Sequence, residues 1–328
     1  MGLHCWVMRE FDLLRHIYAA NAQIDRRVMI PPGDDMAMLR LVDEFDQHRV
    51  LAAVDQAIDG IHFNLAVTPL ELVGRKAITR SLSDVAAMGA APNGALVAAA
   101  LPPDFGEGRA TQLFDAMRAT AEHYECPLIG GDIAIHTSPQ HPLTISVTVL
   151  AVPYVRHVAT RSGARPGDGV HVTGPLGGSL LPNGLGRHLT FEPRIKLGQQ
   201  IATELGERLH AMIDISDGLG RDAGHIAEMS RVRIILRADQ IPRNPGCDWR
   251  RALSDGEDYE LCFAAAGDVP TTIAGANITR VGEVLAPDAN DPRLVLVRDG
   301  DRLIDVAEFG WQHEQKQKAE SRKQKAES

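Results

Sequence analysis

Short apolar runs and amphipathic helical stretches alternate along most of this chain, and that alternation is what most narrows the folds open to it. "REFDLLRHIYAAN" (9–21) sets Phe11, Leu14, Ile17 and Tyr18 on one helical face, whereas "RVLAAVD" (49–55) reads as a short buried strand ending in Asp55. A helix over 70–89, a strand over 94–102, a helix over 107–125, a strand in "PLIGGD" and a strand over 143–152 follow. After the Gly/Pro turn cluster "RSGARPGDGV" (161–170) a second set begins, with strands at 170–173, 232–236 and 259–265, helices at 193–208 and 217–230, and short strands to about 306. The pattern predicts an α/β (α+β) protein of two domains, 1–152 and 153–311. The remainder, 312–328, repeats "QKAES" and carries no aliphatic side chain larger than Ala, so it reads as a solvated tail.

A chain of 328 residues exceeds what one core usually holds, which agrees with two domains. With 34 basic against 43 acidic residues and a net charge of −9, it offers no polycation for nucleic acid or an anionic membrane. Cys5, Cys126, Cys247 and Cys262 are far apart with no C-x-x-C pair, which argues against zinc and against a disulfide framework and for a reduced, cytoplasmic setting. No apolar run has the length of a membrane span and no h-region opens the chain. Gly2 lacks the Ser or Thr that myristoylation wants, since Trp6 stands there.

Aspartates recur beside Gly turns: Asp34 and Asp35 in "PPGDDMAML", Asp55, Asp84 in "SLSDVAAMG", Asp132 in "PLIGGD", and Asp214 and Asp217 in "IDISDGLG". Each has a local reading as well. Asp34 and Asp35 suit a turn, and Ser216 or Asp217 suits a helix N-cap. Gathered at strand ends, though, several carboxylates would repel one another unless cations lay between them. Hard oxygen ligands without a His/Cys cluster suit Mg²⁺, which usually arrives with phosphates. No G-x-x-x-x-G-K-[ST] occurs, and Lys76 and Lys196, the lysines before the tail, do not follow Gly, so a P-loop is excluded. The protein-kinase motifs are absent too. Phosphates would then be met by metal ions, by backbone N–H groups in "IGGD" and "TGPLGGS", and by Arg161 or Arg165.

"GDDMAML", "DGIHF", "KAITRSLSDVAAMGA", "LIGGD", "TRSGARPGD", "MIDISDGLGRDAGHI" and "LSDGEDYELCF" occur in an order and spacing that resembles thiamine-monophosphate kinase, of the superfamily that includes aminoimidazole ribonucleotide synthetase. The resemblance runs from about Met8 to Trp311. It implies an N-terminal α/β domain whose sheet pairs across a homodimer, a C-terminal α+β domain closing over it, and transfer of the ATP γ-phosphoryl group to thiamine monophosphate. It also implies that Asp35, Asp55, Asp84, Asp132, Asp214 and Asp217 hold Mg²⁺ around the ATP phosphates, with Asp84, Asp132 and Asp217 catalytic. Gly131, Asp132, Arg161 and Ser216 would contact the nucleotide, and His62, Glu257 and Trp311 the thiamine phosphate.

The chain departs from that family pattern at three places. Ala53 and Val54 stand where hydroxyl residues normally precede the strand-end Asp, Asp255 stands where "SGGEDYEL" has Gly, and the stretch between "GPLGGS" and "FEPRI" is too short for the helix the resemblance implies. These leave two alternatives beside the kinase: a superfamily relative acting on another small phosphorylated or acidic acceptor, and a weakened nucleotide-binding dimer.

Overall fold

The computed structural model describes residues 28–31, 33–42, 47–156, 158–306 and 309–310. The helix expected at 9–21, Trp311 and the tail 312–328 lie outside the described residues.

The N-terminal half builds a six-stranded sheet from β1 (Val28–Ile30), β2 (Ala37–Val42), β3 (Gln47–Ile58), β4 (Ala90–Leu101), β5 (Leu128–Ile135) and β6 (Thr144–Pro153), in the order β1-β2-β3-β6-β4-β5. Period-two burial in β6 sets Ile145, Val147, Val149 and Ala151 toward the core. Helices α1 (Leu70–Ala87) and α2 (Glu107–His123) cover that face. Apart from a few positions α1 is buried all round, so it is a central helix and not a surface one. It can be central because small residues let its neighbours approach. A Cβ on Gly74 would lie 2.8 Å from Ala116 Cβ of α2.

The second sheet runs β15-β14-β9-β13-β7-β10-β8, from β7 (Gly169–Val172), β8 (Leu209–Asp214), β9 (Arg233–Arg237), β10 (Leu261–Ala265), β13 (Thr279–Leu285), β14 (Val295–Asp299) and β15 (Arg302–Asp305). A small hairpin, β11 (Thr272–Ile273) with β12 (Ala276–Asn277), stands apart. Helices α4 (Leu219–Ser230) and α5 (Trp249–Ser254) pack on one face, where Ala211, Ile213, Cys262 and Ala264 share a core with Leu219, Ile226 and Trp249. The other face sends Met212, Leu261 and Phe263 into the N-terminal core, together with Ile195, Leu197, Ile201 and Leu205 of α3 (Ile195–Leu205). The end of β8 is therefore brought up against α1.

Most elements fall where periodicity puts them, and the aspartates do not. Of those expected to close a strand or open a helix, only Asp214 ends one. Asp55 lies inside β3, which continues through the ladder pairs Gln56↔Ser146, Ala57↔Ile145 and Ile58↔Thr144 because its partner strand does. Asp132 lies inside β5, held in parallel register with Ala98. Asp84 sits near the C-terminal end of α1. Strand β1 has no counterpart in the sequence reading, whereas β2 is the strand that the turn reading of Asp34 and Asp35 puts after them. Between "GPLGGS" and "FEPRI" the only helix is a 3-10 turn, Arg187–Leu189.

Candidate active site

One stripe of α1 carries the site. Lys76, Arg80 and Asp84 follow at intervals of four residues and so share a face. At 1.5 Å per residue the stripe spans about 12 Å.

At its C-terminal end one carboxylate oxygen each from Asp35, Asp84 and Asp214 lies within 4.8 Å of the others. Asp35 comes from the bend before β2 and is fixed by Arg161, whose Nη2 donates to Oδ1 at 2.8 Å. Asp34 accepts from the backbone N–H of Asp35 and of Arg161, each at 3.1 Å, and so serves the turn and not the three-acid group. Asp214 accepts from Ser83 Oγ at 2.6 Å. The other oxygen of Asp35, Oδ2, is buried with no hydrogen-bond partner among the described residues.

Such an arrangement resists ionisation. Burial, then repulsion from Asp35, pushes the Asp214 carboxyl up to about 7. Burial and the same neighbour bring Asp34 to about 7. Asp84 is driven well above the carboxylate range by burial and by Asp55, Asp214 and Asp35. Three converging carboxylates with an orphaned oxygen are the donor set of a hard divalent cation, so these residues fit Mg²⁺. Asp55 faces the middle of the stripe, 3.6 Å from Arg80 Nη2.

Asp217 belongs to a second group, with Asp222 and His225, whose ligand atoms also lie within 4.8 Å of one another. Neither Ser216 nor Asp217 caps α4. The N-cap is Gly218, without a side-chain bond, and Asp222 turns back from within the helix to accept from the N–H groups of Asp217 at 3.2 Å and Gly218 at 3.0 Å. Asp132 is in neither carboxylate group. It is exposed on β5, in the cross-sheet row Gln56–Ser146–Ala98–Asp132, beside the row Asp55–Val147–Val97–Gly131. Strand spacing of about 4.8 Å puts that position some 14 Å from β3. Gly131 is required where it is, because a Cβ there would fall 1.9 Å from the Val97 carbonyl oxygen.

The N-terminal end of the stripe is a different chemistry. Lys76 is fully buried. Its Nζ donates to the His62 carbonyl at 2.5 Å and to both Glu257 oxygens at 2.8 Å, and His188 Nδ1 lies 2.7 Å from that Nζ and 3.0 Å from Glu257 Oε2. His62 Nδ1 accepts from Ile58 N–H at 3.0 Å. Burial raises the Glu257 carboxyl, but bonds and charge from His188 and Lys76 outweigh it and bring it down to about 2. Glu257 sits in a tight segment: Gly256, Glu257 and Tyr259 have φ of 69°, 52° and 52°, and Glu257 N–H donates to the Ser216 carbonyl at 2.7 Å. Asp255 does not present a bare charge there, because its Oδ2 accepts from Gly178 N–H and from Arg251 Nη2, both at 2.8 Å.

Sequence reasoning missed Lys76, Arg80, Ser83, His188, Asp222 and His225. Only the last two carried a signal, as polar residues spaced one helical turn apart behind "DISDGLG".

Residues 33–152 match the family model described as "AIR synthase related protein, N-terminal domain". A thiamine-monophosphate kinase of Rhodopirellula baltica is 34% identical over 294 residues, covering 84% of this chain and 89% of that protein. One from Escherichia coli K12 is 32% identical, covering 90% and 93%. Among solved structures, AaThiL complexed with AMPPCP and TMP superposes with a TM-score of 0.72 at 27% identity, covering 93% of this chain and 97% of that one. Hydrogenase maturation protein HypE in complex with ATP, at 16% identity and a TM-score of 0.64, covers 81% of this chain and 86% of its own and shares the fold.

Proposed function

This chain belongs to the thiamine-monophosphate kinase family, and from that premise we propose how its residues transfer the γ-phosphoryl group of ATP to thiamine monophosphate, giving thiamine diphosphate and ADP. The observation that carries the reading is the three-acid group of Asp35, Asp84 and Asp214 at one end of a helix whose other end holds Glu257 through Lys76. An oxygen of the acceptor phosphate attacks the γ-phosphorus as the bond to the β–γ bridging oxygen breaks, so no covalent intermediate on the protein is needed. Two anionic groups must meet in line, and the chain's task is positioning and charge.

Asp35, Asp84 and Asp214 are the residues that would hold Mg²⁺, with Asp55 and, from the second group, Asp217 as further ligands. When bound, Mg²⁺ supplies the positive charge against the phosphates that the acidic pocket lacks. Arg161 holds Asp35 in place while keeping its own charge beside the nucleotide. Gly131 and Asp132, at the open edge of the sheet, serve the nucleotide away from the three-acid group, and Ser216 lies where the Glu257 segment meets α4. His62, Glu257 and Trp311 are assigned to the acceptor.

Residues 1–152 form the nucleotide-binding and pairing domain and 153–311 the part that closes over it. No helix among the described residues is long and apolar enough to cross a membrane. We place the enzyme in the cytoplasm, in keeping with free Cys126, Cys247 and Cys262, and as a homodimer. A coupled assay of ATP consumption with thiamine monophosphate, thiamine and an aminoimidazole precursor as acceptors tests the assignment. Turnover with thiamine monophosphate alone is expected, and preference for either other acceptor would overturn it.

A further inference from the structure

Lysine is almost never fully buried unless every charge interaction it needs is met inside the protein. Lys76 meets that condition. An ammonium has three protons, and the three oxygens around Lys76 Nζ, the His62 carbonyl at 2.5 Å and the two Glu257 oxygens at 2.8 Å, use them all. His188 closes the remaining side of the pair, with Nδ1 2.7 Å from Lys76 Nζ and 3.0 Å from Glu257 Oε2 and with Nε2 3.3 Å from the Gly184 carbonyl. With no proton left over, Lys76 is not a phosphate-binding lysine. Its three partners come from segments far apart in the chain: the loop after β3, the 3-10 turn at Arg187–Leu189, and the strained segment at Gly256–Tyr259.

We propose that Lys76 is a positioning residue for the acceptor: its sealed ammonium ties those three segments to α1, so that one helix fixes the distance between the Glu257 wall of the acceptor site and the carboxylate group at Asp84. The proposal rests on the reading that His62 and Glu257 face the acceptor. Glu257 keeps part of its surface open, at 23% side-chain exposure, while Lys76 has none. The carboxylate is therefore the face the acceptor meets and the lysine is the support behind it. Around Lys76 the titratable and charged groups are Glu257, His188 and His62, with Arg80 one turn along α1. Burial brings the lysine down to about 8, with Glu257 pulling the other way.

Steady-state kinetics on the full chain test this with Lys76→Met, Glu257→Gln and the wild type across about pH 7 to 9. Lys76→Met is expected to raise KM for thiamine monophosphate about tenfold or more, with kcat and the KM for ATP within about threefold. In the wild type, the KM for thiamine monophosphate should climb as pH passes about 8 and the ammonium is lost, while that for ATP stays level. A folded Lys76→Met enzyme with KM within twofold of wild type overturns the proposal. Should that variant not fold, a flat wild-type profile for the acceptor overturns it instead. Glu257→Gln separates the two layers: unchanged acceptor KM there defeats the acceptor reading itself, whereas a raised KM beside a normal Lys76→Met defeats only the role of the lysine.

Discussion

Asp35 holds one carboxylate oxygen on Arg161 and leaves the other buried without a donor among the described residues, which is a costly arrangement in a protein that needs only a turn there. Function and stability therefore oppose each other at this site, and one substitution separates them. Asp84→Asn removes the half-buried member of three mutually repelling carboxylates, so the metal-free protein should melt no lower than wild type while kcat falls about a hundredfold or more. Thermal melts in chelator beside steady-state rates check it, and a lower melting point with normal kcat would show a structural acid instead. Asp255 behaves in the opposite way. Because its carboxylate is occupied by Arg251 and the Gly178 N–H, Asp255→Ala should leave the KM for thiamine monophosphate unchanged and cost about 1–2 kcal/mol, measured by urea titration. A lower KM would mean that its charge reaches the acceptor after all. The aspartates were legible because acids beside Gly turns have few other uses in such number. Lys76 was not, because a lysine in an amphipathic helix normally faces water, and here the acceptors that permit its burial lie up to 181 residues away.

Among the elements α1 matters most, since it supplies Lys76, Arg80, Ser83 and Asp84 and is pressed from all sides by the sheet, α2 and α3. Its contact with α3 leaves no room. A Cβ on Gly198 would fall 2.2 Å from the Ala86 carbonyl oxygen, two residues beyond Asp84. Gly198→Ala should therefore cost about 2–3 kcal/mol and lower kcat as well, because the helix must shift at its catalytic end. Denaturation midpoints and rates measure both, and an unchanged midpoint would refute the close packing. Helix α1 could be read as a helix from its spacing, but not as a central one, because burial on every side depends on what packs around it. The same limit explains the strands. Periodicity found the apolar middle of β3 and stopped at Asp55, whereas the ladder with β6 continues three residues further because pairing, not hydrophobicity, carries it. Strands β1 and β2 are short, and each depends on its neighbour, β2 pairing with β3 and β1 with β2.

At the scale of the whole molecule the six-stranded sheet has one covered face and one uncovered. Register aligns Val54, Thr148 and Leu96 in a single row, and Val54 is 64% and Leu96 39% exposed, with Val152 at 37% on the same strand face as Thr148. Strand β5, bonded only to β4, continues that row with Gly130 and carries exposed Ile133 and Ile135 on the opposite face of the open edge. Apolar rows of this kind on an open sheet invite a second copy. Sedimentation at micromolar concentration is expected to give a homodimer, and Val54→Lys to shift it toward monomer; a wild-type monomer would refute the pairing. The acidic pocket adds a pH dependence whose sign can be worked out. Asp34 and Asp214, both raised to about 7, carry more protons folded than unfolded between about pH 4 and 7. Their contribution to stability is thus complete below the ordinary carboxylate value and is lost as pH rises through about 7, leaving buried charge above it. A cation that binds only the ionised pocket offsets that loss, and saturation at about a hundred times its Kd contributes about 2.7 kcal/mol. The rise in melting temperature on adding Mg²⁺ should therefore be small near pH 5 and largest near pH 8. An equal rise at both would mean that the ion binds elsewhere, because only carboxylates that must first lose a proton tie the ion's stabilisation to pH in this direction.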